Sequence, residues 1–503
     1  MVVTSWRETV KQAETLEDLK QRLEEESGDV FPDSLQLAYD KLLFMVKEAR
    51  ERRVVVVSDR EGTDQFEGEV SNVGVFMVKQ VALNGKNAKV LRSLLTWTAP
   101  QALGTSGISM GLGDRLGLAS PGHLKALRDT PVRPVLAQQS MRELELTNRT
   151  YVDVLDAATW AVFQEGYQGG YGADGDHLKK IEDILMALEL GFSMITLDCS
   201  EHINDEILDL TEAEVLSQYN QLPKAKRKEF EELYCDQRYE LQNGATIYMD
   251  PEHYQRMALT YHQALDFMEK VYEQVITKLD RPIDFEISID EVATPTTPQD
   301  HFFVANELKK RGIKVCSVAP RFYGHFEKGI DYMGDLEQFE QEFAVHADIS
   351  SHFGYKLSIH SGSDKFSVFP IIGKYARATG YHVKTAGTNW LEAVRVIAHV
   401  DPCLYRALHQ KALDSLKAAR KYYHVSMDLA KVPEIDTLED QELPGLLDQD
   451  DARQLLHITY GFMLQDPKLK EGIYEVLKKH EGRYEQFLVC HMNRHLKALG
   501  IKQ

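Results

Sequence analysis

From residue 108 onward, short apolar runs alternate with longer stretches whose apolar positions recur every three or four residues. The short runs predict strands and the longer period predicts helices. Eight strand-like runs lie at 108–112, 133–137, 159–165, 193–198, 284–290, 314–319, 356–361 and 381–386. Several are followed by helices with readable stops. Leu178, Ile181, Ile184, Leu185 and Leu188 form one apolar stripe, and Gly191 sits past its end. The stretch 302–310 stops at Gly312, Leu336, Phe339 and Phe343 precede Gly354, and 390–397 follows the eighth run. Eight strands alternating with helices predict an α/β fold, a (β/α)8 TIM-like barrel. A doubly wound open sheet is the rival.

The flanks have a different rhythm. Residues 1–50 read as polar helix with a Leu16, Leu19, Leu23 stripe, followed by short strands at 54–58, 74–78 and 88–91. Beyond residue 400 the pattern is helical, at 404–423, 452–464 and 473–499. The chain therefore divides into an N-terminal α/β region (1–104), a barrel (105–400) with an insertion near 203–280, and a C-terminal helical region (401–503). Between the last helices, 433–451 carries eight acidic residues and no Lys or Arg. A solvated acidic loop is the plain reading, and an acidic interaction tail is the other.

Charge and composition narrow the function. Against 58 Lys and Arg stand 78 Asp and Glu, a net charge of −20 over 503 residues. Such a chain repels a phosphate backbone, and no basic face stands out, which argues against nucleic acid and against anionic membrane surfaces. Apolar runs such as 54–57 are too short to span a bilayer, and the first residues lack a signal-peptide layout. Five cysteines are scattered with no close pair, which favours a reducing cytoplasm over a disulfide frame or thiolate zinc site. A cytoplasmic protein acting on a small molecule is the expectation, and assembly with identical copies is left open.

Barrel active sites form at the carboxyl ends of the strands, so inward polar residues there are informative. In Asp284-Phe-Glu-Ile-Ser-Ile-Asp290, the apolar residues share one face, and Glu286, Ser288 and Asp290 share the inward one. An inward Glu needs a partner: a buried pair with Lys356 or Lys384, or a metal. In Lys356-Leu-Ser-Ile-His-Ser361, His360 ends the inward face, either as a structural hydrogen-bonder or as a ligand. The turn after it, Ser361-Gly-Ser-Asp-Lys365, offers N–H groups to an anion. The sixth strand runs into Ala319-Pro-Arg-Phe-Tyr-Gly-His325. The third is followed by Gly169-Gly-Tyr-Gly-Ala-Asp-Gly-Asp-His177, read as a glycine-rich loop entering a helix. There Asp176 as a cap and His177 as a first-turn residue are the plain alternative. The fourth strand ends in Asp198, and the eighth holds His382 and Lys384 inward. His177, His325 and His360 thus follow different strands. With carboxylates they suit Zn, Mn, Ni or Co, although no H-E-x-x-H or C-x-x-C motif is present. Arg115, Arg321 and Lys384 are candidates for holding an anionic group.

Longer motifs add a family. Glu286-Ile-Ser-Ile-Asp-Glu-Val-Ala-Thr-Pro-Thr-Thr-Pro, Ser358-Ile-His-Ser-Gly-Ser-Asp-Lys-Phe and Lys384-Thr-Ala-Gly-Thr-Asn-Trp resemble the tagaturonate/fructuronate epimerases. So do Gly111-Leu-Gly-Asp-Arg-Leu-Gly-Leu-Ala-Ser-Pro-Gly-His and the Asp174-Gly-Asp-His segment. The likeness spans nearly the whole chain and is densest over 107–400. It implies a divalent-metal-dependent epimerase of hexuronate breakdown, interconverting D-tagaturonate and D-fructuronate. Such enzymes can also show ketohexose 4-epimerase activity between fructose and tagatose. The resemblance implies His177, His325 and His360 as metal ligands and Asp176 and Glu286 as the acid/base pair. Asp198 and Asp290 stand in reserve, on the substrate side.

In these keto acids the inverted carbon is β to the ketone, so simple enolisation does not reach it. Retro-aldol cleavage with re-addition, or proton transfer between two carboxylates, remain. Two other readings compete: a metal-dependent aldolase or ketose isomerase on another sugar acid, and a non-catalytic sugar-acid sensor. Buried ionisable groups at Glu286 and His360 argue against the sensor.

Overall fold

A computed structural model of the chain describes residues 5–26, 28–48, 51–59 and 65–502. The N-terminal sheet comprises β1 (Gln36–Ala38), β2 (Lys41–Glu48), β3 (Glu51–Ser58), β4 (Gly68–Val73) and β5 (Phe76–Ala82), antiparallel in the order β1-β2-β3-β5-β4. Of the stretch read as polar helix, residues 1–4, 27, 49 and 50 lie outside the described residues. The remainder forms the helices Trp6–Gln12 and Leu16–Glu26 and then β1 and β2. In β2 the run Leu42-Leu43-Phe44-Met45-Val46 is buried on both faces. Leu42, Phe44 and Val46 pack under Trp6, Val10, Leu19 and Leu23, whereas Leu43 and Met45 face Leu91, Trp160 and Phe163. A strand covered on both sides has no polar alternation to mark it. The segment read as a strand at 88–91 lies in the helix Gly85–Leu94, capped by Asn84.

The centre of the molecule is a closed barrel of parallel strands. In chain order these are β6 (Ser109–Gly111), β7 (Arg133–Gln139), β8 (Gly172–Leu178) and β9 (Met194–Asp198). After an excursion come β12 (Asp284–Ile289), β13 (Ser317–Pro320), β14 (Lys356–Ile359) and β15 (Tyr381–Lys384). The wall closes where β15 pairs with β6, His382 opposite Ser109 and Lys384 opposite Gly111. The excursion carries two short helices, the hairpin β10 (Gln237–Glu240) and β11 (Thr246–Met249), and the long helix His253–Gln274.

One expected strand is misplaced. Residues 159–165 fall in the helix Tyr151–Gln164, started by a Thr150/Asp153 capping box. Ala158 through Gln164 are all buried there, so the helix shows no polar face to betray its period. The third barrel strand is instead β8, the segment read as a glycine-rich loop. Gly170-Tyr-Gly-Ala-Asp-Gly175 even has the G-x-G-x-x-G spacing of a dinucleotide turn, yet Gly172 to Gly175 pair along the barrel wall. Poor strand propensity is overridden because Asp174 and Asp176 find partners inside the barrel.

Helices Pro402–Ala419, Asp450–Ile458, Tyr460–Leu464, Pro467–Lys479 and Glu481–Ala498 form the C-terminal region. They bury a core with Trp390, Leu391, Val394 and Ile397 of the barrel helix Thr388–Val400. Residues 433–451 are short 3-10 turns whose Leu443, Leu446 and Leu447 are buried, with acidic side chains such as Asp440 and Asp448 paired to Arg406 and Arg395. Among the described residues no helix is long and apolar enough to cross a membrane. All five cysteines are unpaired.

Candidate active site

The period of two places Asp174 and Asp176 of β8, Thr196 of β9, Glu286 of β12 and Lys384 of β15 inside the barrel. Lys384 is their hub. Its Nζ donates to Asp174 Oδ2 (3.0 Å), Asp176 Oδ1 (2.6 Å) and Thr196 Oγ1 (2.7 Å), and Glu286 Oε1 lies 2.9 Å away. Burial works against the lysine's charge, but three carboxylates overcome it and hold its pKa well above the ordinary value. Burial lifts Asp174 to about 6. Burial also pushes Glu286 up, yet Lys384 and His360 prevail and keep it well below the usual carboxylate range. Of the two lysines considered as partners for Glu286, Lys384 is the one in contact. Lys356 lies in the layer with Ser109 and His382.

Glu286 is 0% exposed. Its oxygens accept from Ser317, Thr196 and His360 Nε2 (2.8 Å). The other nitrogen of His360, Nδ1, lies 3.0 Å from Asp290 Oδ1. The Asp290 carboxylate pairs with this buried nitrogen. His177 lies beside His360 with ring centroids 4.7 Å apart and planes tilted by 56°, and its Nδ1 meets Asp176 Oδ1 at 2.9 Å. His177 has φ +53°, a left-handed conformation uncommon outside glycine. His177, Asp290 and His360 offer ligand atoms within 4.8 Å of one another.

This cluster opens into a cavity at the carboxyl ends of the barrel strands. Asp176, His177, Asp290, His360 and Lys384 line it, while Glu286 does not. Arg115 lines it too, but its Nε and Nη2 donate to Glu143 and its guanidinium stacks 3.7 Å from the Tyr460 ring centroid. His325 is exposed and stands apart from the His177–Asp290–His360 group. It lines an adjoining cavity, which Asp290 and His360 also border, together with Arg321, whose guanidinium is bound to the Val292 carbonyl. The physical reason is the loop after β13, in which His325 pairs back to Met333 through the backbone. Asp198 is buried, accepts from Ser200 N at 2.8 Å and is not on the cavity wall. In place of His325, the third group beside the two histidines is Asp290.

Several wall residues carry no signal in the strand pattern: Gln138, Arg142, Glu143, Lys328, Tyr423 and His457. A legible clue existed for two of them. Ser140-Met-Arg-Glu143 spells a capping box, which starts the helix Met141–Thr147 straight after β7 and sets Arg142 and Glu143 in its first turn. Tyr423 and His457 come from the C-terminal region. His457 approaches the chain at Gly387, where a Cβ would collide with its ring.

A second group, Asp364, His491 and His495, is fully buried. His495 Nε2 accepts from the Asp364 N–H (3.1 Å), and its Nδ1 faces the His491 carbonyl (3.1 Å). Asp364 also meets Arg453 (2.7 Å) and His491 Nε2 (3.1 Å). These contacts anchor the turn after His360 to the last helix.

A parallel barrel with imidazole, carboxylate and lysine gathered at the carboxyl ends of its strands marks an enzyme active site more readily than a binding module. Comparison with known proteins makes the class specific. A family model described as tagaturonate epimerase matches residues 31–499. The tagaturonate/fructuronate epimerase of Thermotoga maritima is 42% identical over 468 residues, 92% of this chain and 95% of that protein. Crystal structures of a fructuronate-tagaturonate epimerase from Cohnella laeviribosi superpose over most of the molecule. A glycerol complex has TM-score 0.91 at 47% identity, covering 94% of this chain and 96% of that one. The native form has TM-score 0.92 at 46% identity, covering 97% and 99%. The chain belongs to the tagaturonate epimerase family and is an epimerase, a member of the isomerase class.

Proposed function

We propose that this chain interconverts D-tagaturonate and D-fructuronate, with a divalent cation held by His177, Asp290 and His360. The observation that carries the metal reading is the convergence of His177, Asp290 and His360, whose ligand atoms lie within 4.8 Å of one another, with His360 Nδ1 3.0 Å from Asp290 Oδ1. Two imidazoles with a carboxylate suit Mn, Co, Ni or Zn. Glu286, on the far nitrogen of His360, orients the ring as carboxylates behind metal-binding histidines do. When bound, such an ion stabilises negative charge developing on a substrate oxygen.

The protein's own groups supply the rest. Asp176 is the member of the Asp176/Glu286 pair on the cavity wall, and burial's upward push on its pKa is outweighed by His177 and Lys384, which keep it ionised. Its place on the wall makes it the proton acceptor of the pair. Glu286 is a positioning residue, acting through His360 and Lys384. One wall carboxylate of that pair favours the retro-aldol route. Asp176 takes the proton of the hydroxyl on the inverted carbon. The bond to the carbon beside the ketone breaks, leaving an aldehyde and an enediolate. The aldehyde turns, the bond re-forms on its other face, and Asp176 returns the proton. The five unpaired cysteines accord with work in the cytoplasm.

The test is removal of metal by chelator, followed by addition of Mn, Co, Ni or Zn one at a time. Fructuronate turnover is expected to vanish and return. Undiminished turnover in stripped protein defeats the metal reading. Failure to convert fructuronate with any of the four defeats the substrate reading.

A further inference from the structure

Five cations line the cavity, and three are spoken for. Lys384 is held by Asp174, Asp176 and Glu286. Arg115 has its charge paired with Glu143, although its Nη1 is buried without a hydrogen-bond partner. Lys365 directs its Nζ to the carbonyls of Glu327, Ile330 and Ser363. The other two, Arg142 and Lys328, form no ion pair with a carboxylate among the described residues. Arg142 Nε is buried without a hydrogen-bond partner, and its guanidinium lies 5.0 Å from the Tyr423 ring centroid. Lys328 Nζ donates to Ser361 Oγ at 2.9 Å, the residue after His360. In a chain with twenty more acids than bases, two unpaired cations facing one cavity need an anion.

We infer that Arg142 and Lys328 take the substrate's carboxylate and make the site select sugar acids over neutral ketoses. The inference rests on the uronate reading above. Arg142 supplies the planar fork that grips a carboxylate through two parallel N–H bonds, and the Tyr423 ring supports its plane. Lys328 adds a point charge next to His360. Arg115, Arg321 and Lys384, the expected anion holders, are already committed to protein partners.

Binding of the unreactive pair D-galactonate and galactitol, measured by calorimetry on the full chain, tests this independently of turnover. Wild type is expected to prefer the acid. Arg142→Met and Lys328→Met should each weaken galactonate about tenfold or more and leave galactitol within twofold. Arg142→Lys should recover part of the loss, because it keeps charge without the fork. Thermal melting confirms folded variants. Wild-type protein that binds the two alike, or neither, overturns the inference, as does equal weakening of both ligands in a folded variant. Absence of fructuronate turnover alongside an intact acid preference would instead fault the substrate reading alone.

Discussion

Glu286 Oε1 accepts from His360 Nε2 at 2.8 Å, while the opposite nitrogen of the same ring looks at Asp290. One imidazole thus has its back to a buried carboxylate and its front to the cavity. Glu286→Gln keeps size and hydrogen bonding but removes the charge that orients and enriches the ring. Metal affinity is expected to fall roughly 10- to 100-fold, read by metal titration of stripped protein. Unchanged affinity with lost turnover would make Glu286 a participant in the chemistry rather than a support.

His360 belongs to the group with His177 and Asp290 and His325 does not, so mutation can separate the two. His360→Ala should empty the site of metal, whereas His325→Ala should retain a full equivalent by elemental analysis. Metal loss in the His325 variant would place that residue at the ion after all.

Lys384 was expected on the substrate side, but its place among three buried carboxylates assigns it a wider task. Lys384→Met strands Asp174, Asp176 and Glu286 without their shared cation. A loss of about 3–5 kcal/mol in unfolding free energy is expected, measured by urea denaturation. Stability within about 0.5 kcal/mol of wild type would show that the hub is dispensable.

Asp364 ties the turn after His360 to Arg453 and His491. Burial pushes its pKa up, but His491, Arg453 and His495 prevail and depress it strongly. A depressed carboxyl stabilises the fold above its unfolded pKa, about 3.8, and loses that contribution as pH falls through the folded value. Asp364→Asn should therefore cost about 3 kcal/mol at pH 7, and the gap to wild type should narrow below about pH 4. A gap that is constant from pH 7 to 3 would refute the electrostatic account.

Much of the barrel could be read from spacing. Where a strand has one face on the core and the other inside the barrel, as in Phe285 to Ile289, the alternation declares both the strand and its inward residues. Burial on both sides erases that alternation. The buried helix around Trp160 looked like a strand, and β8, built of Gly and Asp, looked like a loop, because its stability comes from Lys384 some two hundred residues away. The site was legible to the same extent. His360, Glu286, Asp176 and Lys384 stood out as polar residues at strand ends. Arg142 and Lys328 did not, because what marks them is the partner they lack, and that is known only when every neighbouring carboxylate has a position.

Tyr423 and His457 belong to the cavity wall yet are made in the last quarter of the chain. A chain ending just after β15 would hold every barrel strand and still lack both residues. The pocket is then an open basin, lacking the ring beneath Arg142. Competence to act is thereby deferred to the end of translation, and an unfinished chain is a scaffold without a workshop.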